Sequence, residues 1–236
     1  MARMTRMPPK QPPVEAEPRV RRGYFESRYG QLHVHNAIPP GGGFEEGTPL
    51  ICLHGAPGSG RTFTGLLGLL GRDRSVYAPD LPGYGESDGS AQPMGVAEYV
   101  AAIGDFLDTM RLRNVDVLTH GAAAVLATEL ALTRAAQVRR LVLVSVPMDR
   151  ATPERSGAAA GNLGAAAAGY ALRERLGRVS LPLLVLRPRD EWWDATARVR
   201  EAQPAARVLD LPDHGADLFQ SAPQAVAEAV RGFLRG

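Results

Sequence analysis

A chain of 236 residues, 44% of them hydrophobic, is long enough for one sizeable core, and its length favours one domain. Charged residues make up 22% and the net charge is +2, which excludes the electrostatic footprint of a nucleic-acid binder. The single cysteine, Cys52, excludes an internal disulfide and a cysteine-built metal site, and no apolar run approaches the ~18 residues a membrane span needs.

The first 22 residues, rich in Pro and Arg, read as a disordered tail. They have no apolar core of the secretory kind, so a cytoplasmic location is expected by default. From Gly23 to the end the pattern is that of one domain. "GYFESRYG" and "QLHVHNA" alternate around a turn and predict a hairpin. "PLICLHG" is a continuous apolar run, as expected for a strand buried on both faces. A helix is predicted over Thr62–Leu70, a strand at "SVYAPD", a glycine-rich loop at "LPGYGESDGS" and a helix over Val96–Met110. "VDVLTH" predicts a strand running straight into a helix over Ala122–Arg134. Strands follow at "RRLVLVSVP", "LPLLVLRPRD" and "ARVLDLP", and a last helix at Pro223–Leu234. Strands alternating with helices predict a doubly wound α/β fold, with about eight mostly parallel strands covered on both faces. Residues 149–180, rich in Ala and Gly, break the rhythm and predict a short insertion, either helical or a mobile loop.

"GAPGSGRT" (Gly55–Thr62) follows a strand and opens a helix, close to the phosphate-cradling G-x-x-x-x-G-K-[ST]. Arg61 replaces the lysine, and a planar guanidinium is not a compact ammonium that reaches between phosphates. A P-loop-like nucleotide binder is therefore the weakest of three readings.

The same loop in its wider context resembles the α/β-hydrolase fold superfamily. "HGAPGS" (His54–Ser59) matches that family's oxyanion loop, and "DLPGYGES" (Asp80–Ser87) its Asp-x-Pro-Gly-x-Gly-x-Ser loop. "LPDHGADLF" with the closing helix matches its histidine loop, so the resemblance spans Gly23 to Leu234. In that family the strand–turn–helix carries G-x-S-x-G, the nucleophile elbow. Here Gly121 takes the serine position, Thr119 and Ala123 the two glycine positions, and Ala122 the residue after the nucleophile. Glycine cannot attack a carbonyl, which closes the acyl-enzyme route.

The resemblance implies His214 as the catalytic histidine and an acid at the end of "LPLLVLRPRD". Counting favours Glu191 and side-chain type favours Asp190. It also implies that the N–H groups of Ala56 and Ala122 form the oxyanion hole. His54, Tyr84, His120, Trp192 and Trp193 are candidates to line the pocket, with one tryptophan expected in the core and the other at the pocket mouth. No metal or cofactor is expected. The short insertion implies an open site, or one completed by a second subunit, hence a homodimer as one expected assembly.

Three functional readings follow. The first is a pseudo-hydrolase-like enzyme, acting on a carbonyl-containing small molecule through His214, an acid and the oxyanion hole without a serine, by hydrolysis, lyase or cyclase chemistry. The second is a non-catalytic scaffold or binding member of the same superfamily. The third is the nucleotide binder.

Overall fold

The computed structural model describes residues 17–42, 47–148 and 161–236. Eight strands form one sheet in the order β1-β2-β4-β3-β5-β6-β7-β8. They are β1 (Arg19–Ser27), β2 (Gly30–Ile38), β3 (Gly47–Leu53), β4 (Arg74–Pro79), β5 (Val115–His120), β6 (Val138–Val144), β7 (Leu183–Pro188) and β8 (Arg207–Leu211). The β1–β2 and β2–β4 pairs are antiparallel, and β4, β3, β5, β6, β7 and β8 run parallel.

The apolar runs lack alternation because both faces of the sheet are covered. Along β3, Ile51 and Leu53 pack into one core while Leu50 and Cys52 pack into the other. The first core is closed by α2 (Val96–Thr109) and α3 (Ala124–Thr133), through residues such as Tyr99, Ile103, Phe106, Leu126 and Leu130. The second is closed by α1 (Thr64–Leu70) and the C-terminal helix (Pro223–Arg235), whose Val226, Val230 and Leu234 recur at helical spacing. Cys52 lies fully buried there, where burial raises its thiol pKa and leaves it a small hydrophobe.

Two boundaries differ from the sequence expectation. Arg19–Arg22, assigned to the tail, belong to β1 and pair with β2 from Arg19↔Ile38 onward. Backbone pairing carries this polar segment, and an arginine-rich edge strand resists pairing with other chains. Residues 1–16 lie outside the described part. Of the insertion, residues 149–160 also lie outside it. The remainder is helical, with α4 (Gly161–Ala168) and α5 (Leu172–Leu176). Two short helices, α6 (Trp193–Ala197) and α7 (Val199–Ala202), follow β7. A third, α8 (Leu218–Ser221), precedes the C-terminal helix, α9. No helix among the described residues is long and apolar enough to cross a membrane.

Candidate active site

A sharp turn follows β5 at the position where the sequence implies the elbow. Gly121 has φ +58°, in the left-handed region, and opens a single 3-10 turn (Gly121–Ala123) that runs into α3. A side chain there costs roughly 1–2 kcal/mol of backbone strain. A Cβ built on Gly121 would meet nothing nearer than the Gly55 Cα at 4.0 Å. The left-handed backbone leaves room for a side chain, and Gly121 presents none.

The Gly55 contact brings the first glycine loop beside the elbow. Ala56 and Ala122 are half-buried, and both pack at the margin of the same core. Among the described residues, neither Ala56 N–H nor Ala122 N–H donates to a protein acceptor. Two free amides flanking an elbow are what an oxyanion hole requires.

His54 and Asp80 fix that loop. The buried His54 ring donates from Nδ1 to the Gly55 carbonyl at 2.8 Å and accepts the Leu81 N–H on Nε2 at 2.9 Å. That pattern needs the neutral ring, and burial holds its pKa down to about 4 against a weaker raising effect of the Gly55 hydrogen bond. His54 is thus a brace between two loops. Asp80 Oδ1 accepts from Gly60 N–H at 2.6 Å, while Oδ2 accepts from Glu86 N–H at 2.8 Å and His33 Nδ1 at 3.0 Å. Burial pushes the Asp80 carboxyl pKa up, but these donors outweigh it and hold it below the ordinary value.

These bonds also dispose of the phosphate cradle. The Gly60 amide is taken by Asp80, the Arg61 amide by Ser59 Oγ at 3.3 Å and the Thr62 amide by the Ser59 carbonyl at 3.0 Å. The Arg61 guanidinium pairs with Glu86 at 2.5 Å. Ser59 and Ser87 are likewise committed, the latter donating to the Asp80 carbonyl at 2.7 Å.

His214 and the acids are placed as neighbours but are not joined. Arg189 N–H donates to the His214 carbonyl at 2.6 Å, which ties the histidine loop to the end of β7. Among the described residues, no hydrogen bond or ion pair links the half-buried His214 side chain to Asp190 or Glu191. Glu191 is exposed. Asp190 Oδ1 accepts the Trp192 N–H at 2.9 Å, and Oδ2 accepts a short bond from the Ser145 hydroxyl. The expected acid–histidine pairing is therefore replaced by a different one, with Asp190 serving Ser145. Asp190 also lies within electrostatic reach of His120. There burial lowers the imidazole pKa and the Asp190 charge opposes it. His120 packs edge-on against Phe219 at 5.4 Å between ring centroids.

Ser145 was not singled out by sequence. It is buried, stands immediately past β6, and holds φ +57°. The signal was available in the register: in parallel pairing, His120 stands opposite Val144, so Ser145 follows directly beside the elbow.

The other candidates take different places. Tyr84 accepts the Leu163 N–H of α4 at 2.9 Å, and so holds the insertion over the elbow. Neither tryptophan enters the core. Both are half-buried, and Trp193 is covered by the Arg187 guanidinium at 3.9 Å from its ring centroid. A cavity of about 550 Å³ lies under the insertion, lined by Val125, Pro147, Met148, Tyr170, Leu172 and Arg173 among others. Neither Gly121 nor His214 lines it, although Val125 is on the first turn of α3.

Comparison with known proteins agrees with this architecture. A family model described as the alpha/beta hydrolase family matches residues 50–223. An uncharacterized protein of Mycobacterium tuberculosis is 30% identical over 99 residues, covering 42% of this chain and 29% of that protein. A proline iminopeptidase of Heyndrickxia coagulans is 31% identical over 130 residues, covering 52% of this chain and 42% of the relative. The chain thus matches less than half the length of these relatives. In fold it is similar to an enol-lactonase from Burkholderia xenovorans LB400, with a TM-score of 0.79 at 14% identity, covering 91% of this chain and 100% of that one.

Proposed function

Because the chain belongs to the alpha/beta hydrolase family, we propose that it holds a carbonyl-containing small molecule at an elbow that has lost the covalent step. The observation that carries this reading is Gly121: it keeps the left-handed turn and an open position for a side chain, and presents no hydroxyl. The free amides of Ala56 and Ala122 receive the carbonyl oxygen. One such donor is worth about 3 kcal/mol toward a developing oxyanion, and less toward a ground-state carbonyl. The cavity of about 550 Å³ under the insertion, bordered by Val125 on the first turn of α3, is of ordinary size for a small ligand. The relatives' names, a proline iminopeptidase and an enol-lactonase, support a carbonyl compound as the ligand class. They do not extend to this chain's chemistry, since fold does not fix function.

Binding without turnover is favoured by the commitment of Asp190 to Ser145 and Trp192, which leaves His214 without an orienting carboxylate. A second reading is non-covalent catalysis with His214 as general base and Asp190 or Glu191 as its partner. The Arg189–His214 backbone bond supports it, because it keeps the histidine loop beside the acid strand.

A panel of activated esters, thioesters and β-keto acids separates the two. We expect at least one compound to raise the melting temperature by mass action, with no turnover that depends on His214. A turnover that falls ~100-fold or more in His214→Ala, the scale of general acid–base catalysis, replaces the first reading with the second. A panel in which nothing binds and nothing turns over defeats both.

A further inference from the structure

On the α1 side of the sheet, far along the chain from the elbow, lies a second cluster that the hydrolase reading does not use. Period 2 along β2 puts His33 and His35 on one face, with ring centroids 4.7 Å apart. His35 is 7% exposed, and its Nε2 is buried without a hydrogen-bond partner. His35 also lines a surface cavity of about 350 Å³, together with Val20, Arg21, Arg22, Arg61 and Thr64. Arg22 stands directly opposite His35 in the β1–β2 register.

Single potential ligand atoms of His33, His35 and Asp80 lie within 4.8 Å of one another, which raises a metal ion as the occupant. The hydrogen bonds argue against it. Asp80 already accepts three N–H donors, from Gly60, Glu86 and His33. A cation would have to strip them from a buried carboxylate while facing the Arg22 and Arg61 guanidiniums. Around the cavity the charge balance is positive. Glu86 is the one carboxylate paired to Arg61 there, and it also accepts from Tyr24 at 3.3 Å. Among the described residues, the Arg21 and Arg22 side chains have no hydrogen-bond or ion-pair partner.

We propose that this cavity is an oxyanion site, in which Arg22, Arg61 and the His35 ring bind a phosphate, sulfate or comparable small oxyanion, free or as a monoester. A guanidinium fork suits such oxygens, and the His35 ring in the cavity wall adds a positive charge beside them when protonated. The cavity exceeds the volume of one inorganic ion, which leaves space for the organic part of an ester. Burial lowers the His35 pKa, as do His33, Arg61 and Arg22, with Asp80 opposing them. An anion beside the ring favours its protonated form, so binding should tighten as pH falls.

Sulfate is the probe, because its charge is constant between about pH 6 and 8. Calorimetric titration of the full chain should give saturable binding in the millimolar range, tighter at pH 6 than at pH 8. Binding should weaken about tenfold in Arg22→Ala, the loss of roughly 1.4 kcal/mol for one charge-assisted contact. Arg22 is exposed, so this variant is expected to fold. His35→Asn should weaken binding and abolish its pH dependence. Phenyl sulfate binding more tightly than sulfate identifies a monoester as the ligand; equal affinity identifies the free ion. The proposal is overturned by the absence of saturable sulfate binding, or by binding that Arg22→Ala leaves unchanged. It is equally overturned by zinc chloride binding that sulfate does not match and that His35→Asn removes.

Discussion

The molecule contains two histidine–carboxylate neighbourhoods at strand ends, and they are built in opposite ways. At the end of β4, Asp80 is 1% exposed and carries three N–H donors, one of them from the ring of His33. At the end of β7, Asp190 is half-buried, takes its donors from Ser145 and Trp192, and makes no bond to the His214 side chain. The first is a brace in which every oxygen is used to hold a loop. In the second the parts are adjacent without their side chains being connected. An acid and a histidine close in space do not make a catalytic pair. What the carboxylate already accepts decides that.

The largest expected effect comes from cutting the brace. Asp80→Ala strands the Gly60 and Glu86 amides and the His33 ring in a buried setting, and should cost about 3–5 kcal/mol. Asp190→Ala removes two bonds from a half-buried group and should cost about 1–2 kcal/mol. Urea unfolding of both variants checks the ranking, and equal costs would erase the distinction between the two neighbourhoods.

Acid should next separate them. His54, within the brace, has a folded pKa near 4, against an ordinary value near 6.5. Between those values the unfolded chain binds the proton and the folded chain does not. Stability therefore falls as pH falls through that window, by at most about 3 kcal/mol for this group. His120 is lowered in the same direction and adds to the slope. Asp80, held below its ordinary value, keeps its contribution throughout and loses it only at lower pH. A stability profile that is flat from about pH 7 to 4.5 would contradict this ordering.

Smaller effects belong to the second neighbourhood. Ser145→Ala removes one hydroxyl bond to Asp190 and should cost about 1 kcal/mol. His214→Ala removes no side-chain hydrogen bond and should stay within about 0.5 kcal/mol. A much larger His214 cost would reveal a contact in solution that joins the ring to its surroundings.

The sequence was most informative where one face or both faces of an element had to be apolar. "PLICLHG" and "VDVLTH" read as central strands because their residues feed two cores alternately, and both are central. The tight turn at Gly121 was legible because small residues between a strand and a helix leave a pattern. The acid–histidine pairing was not legible, because it depends on which donors reach Asp190. One of those, Ser145, is visible only once β6 is set in register with β5. His33 and His35 were also passed over. Their shared face follows from period 2, but the arginines that complete the cavity come from β1 and from the turn before α1.

The central claim is that the elbow presents no activated nucleophile, and labelling with a fluorophosphonate probe tests it most directly. Intact-mass measurement of the wild-type chain after incubation should show no adduct, because Gly121 has no hydroxyl and Ser145 is buried against Asp190. A stoichiometric adduct that disappears in His214→Ala would contradict the account, and the labelled residue would identify the nucleophile that replaces the serine.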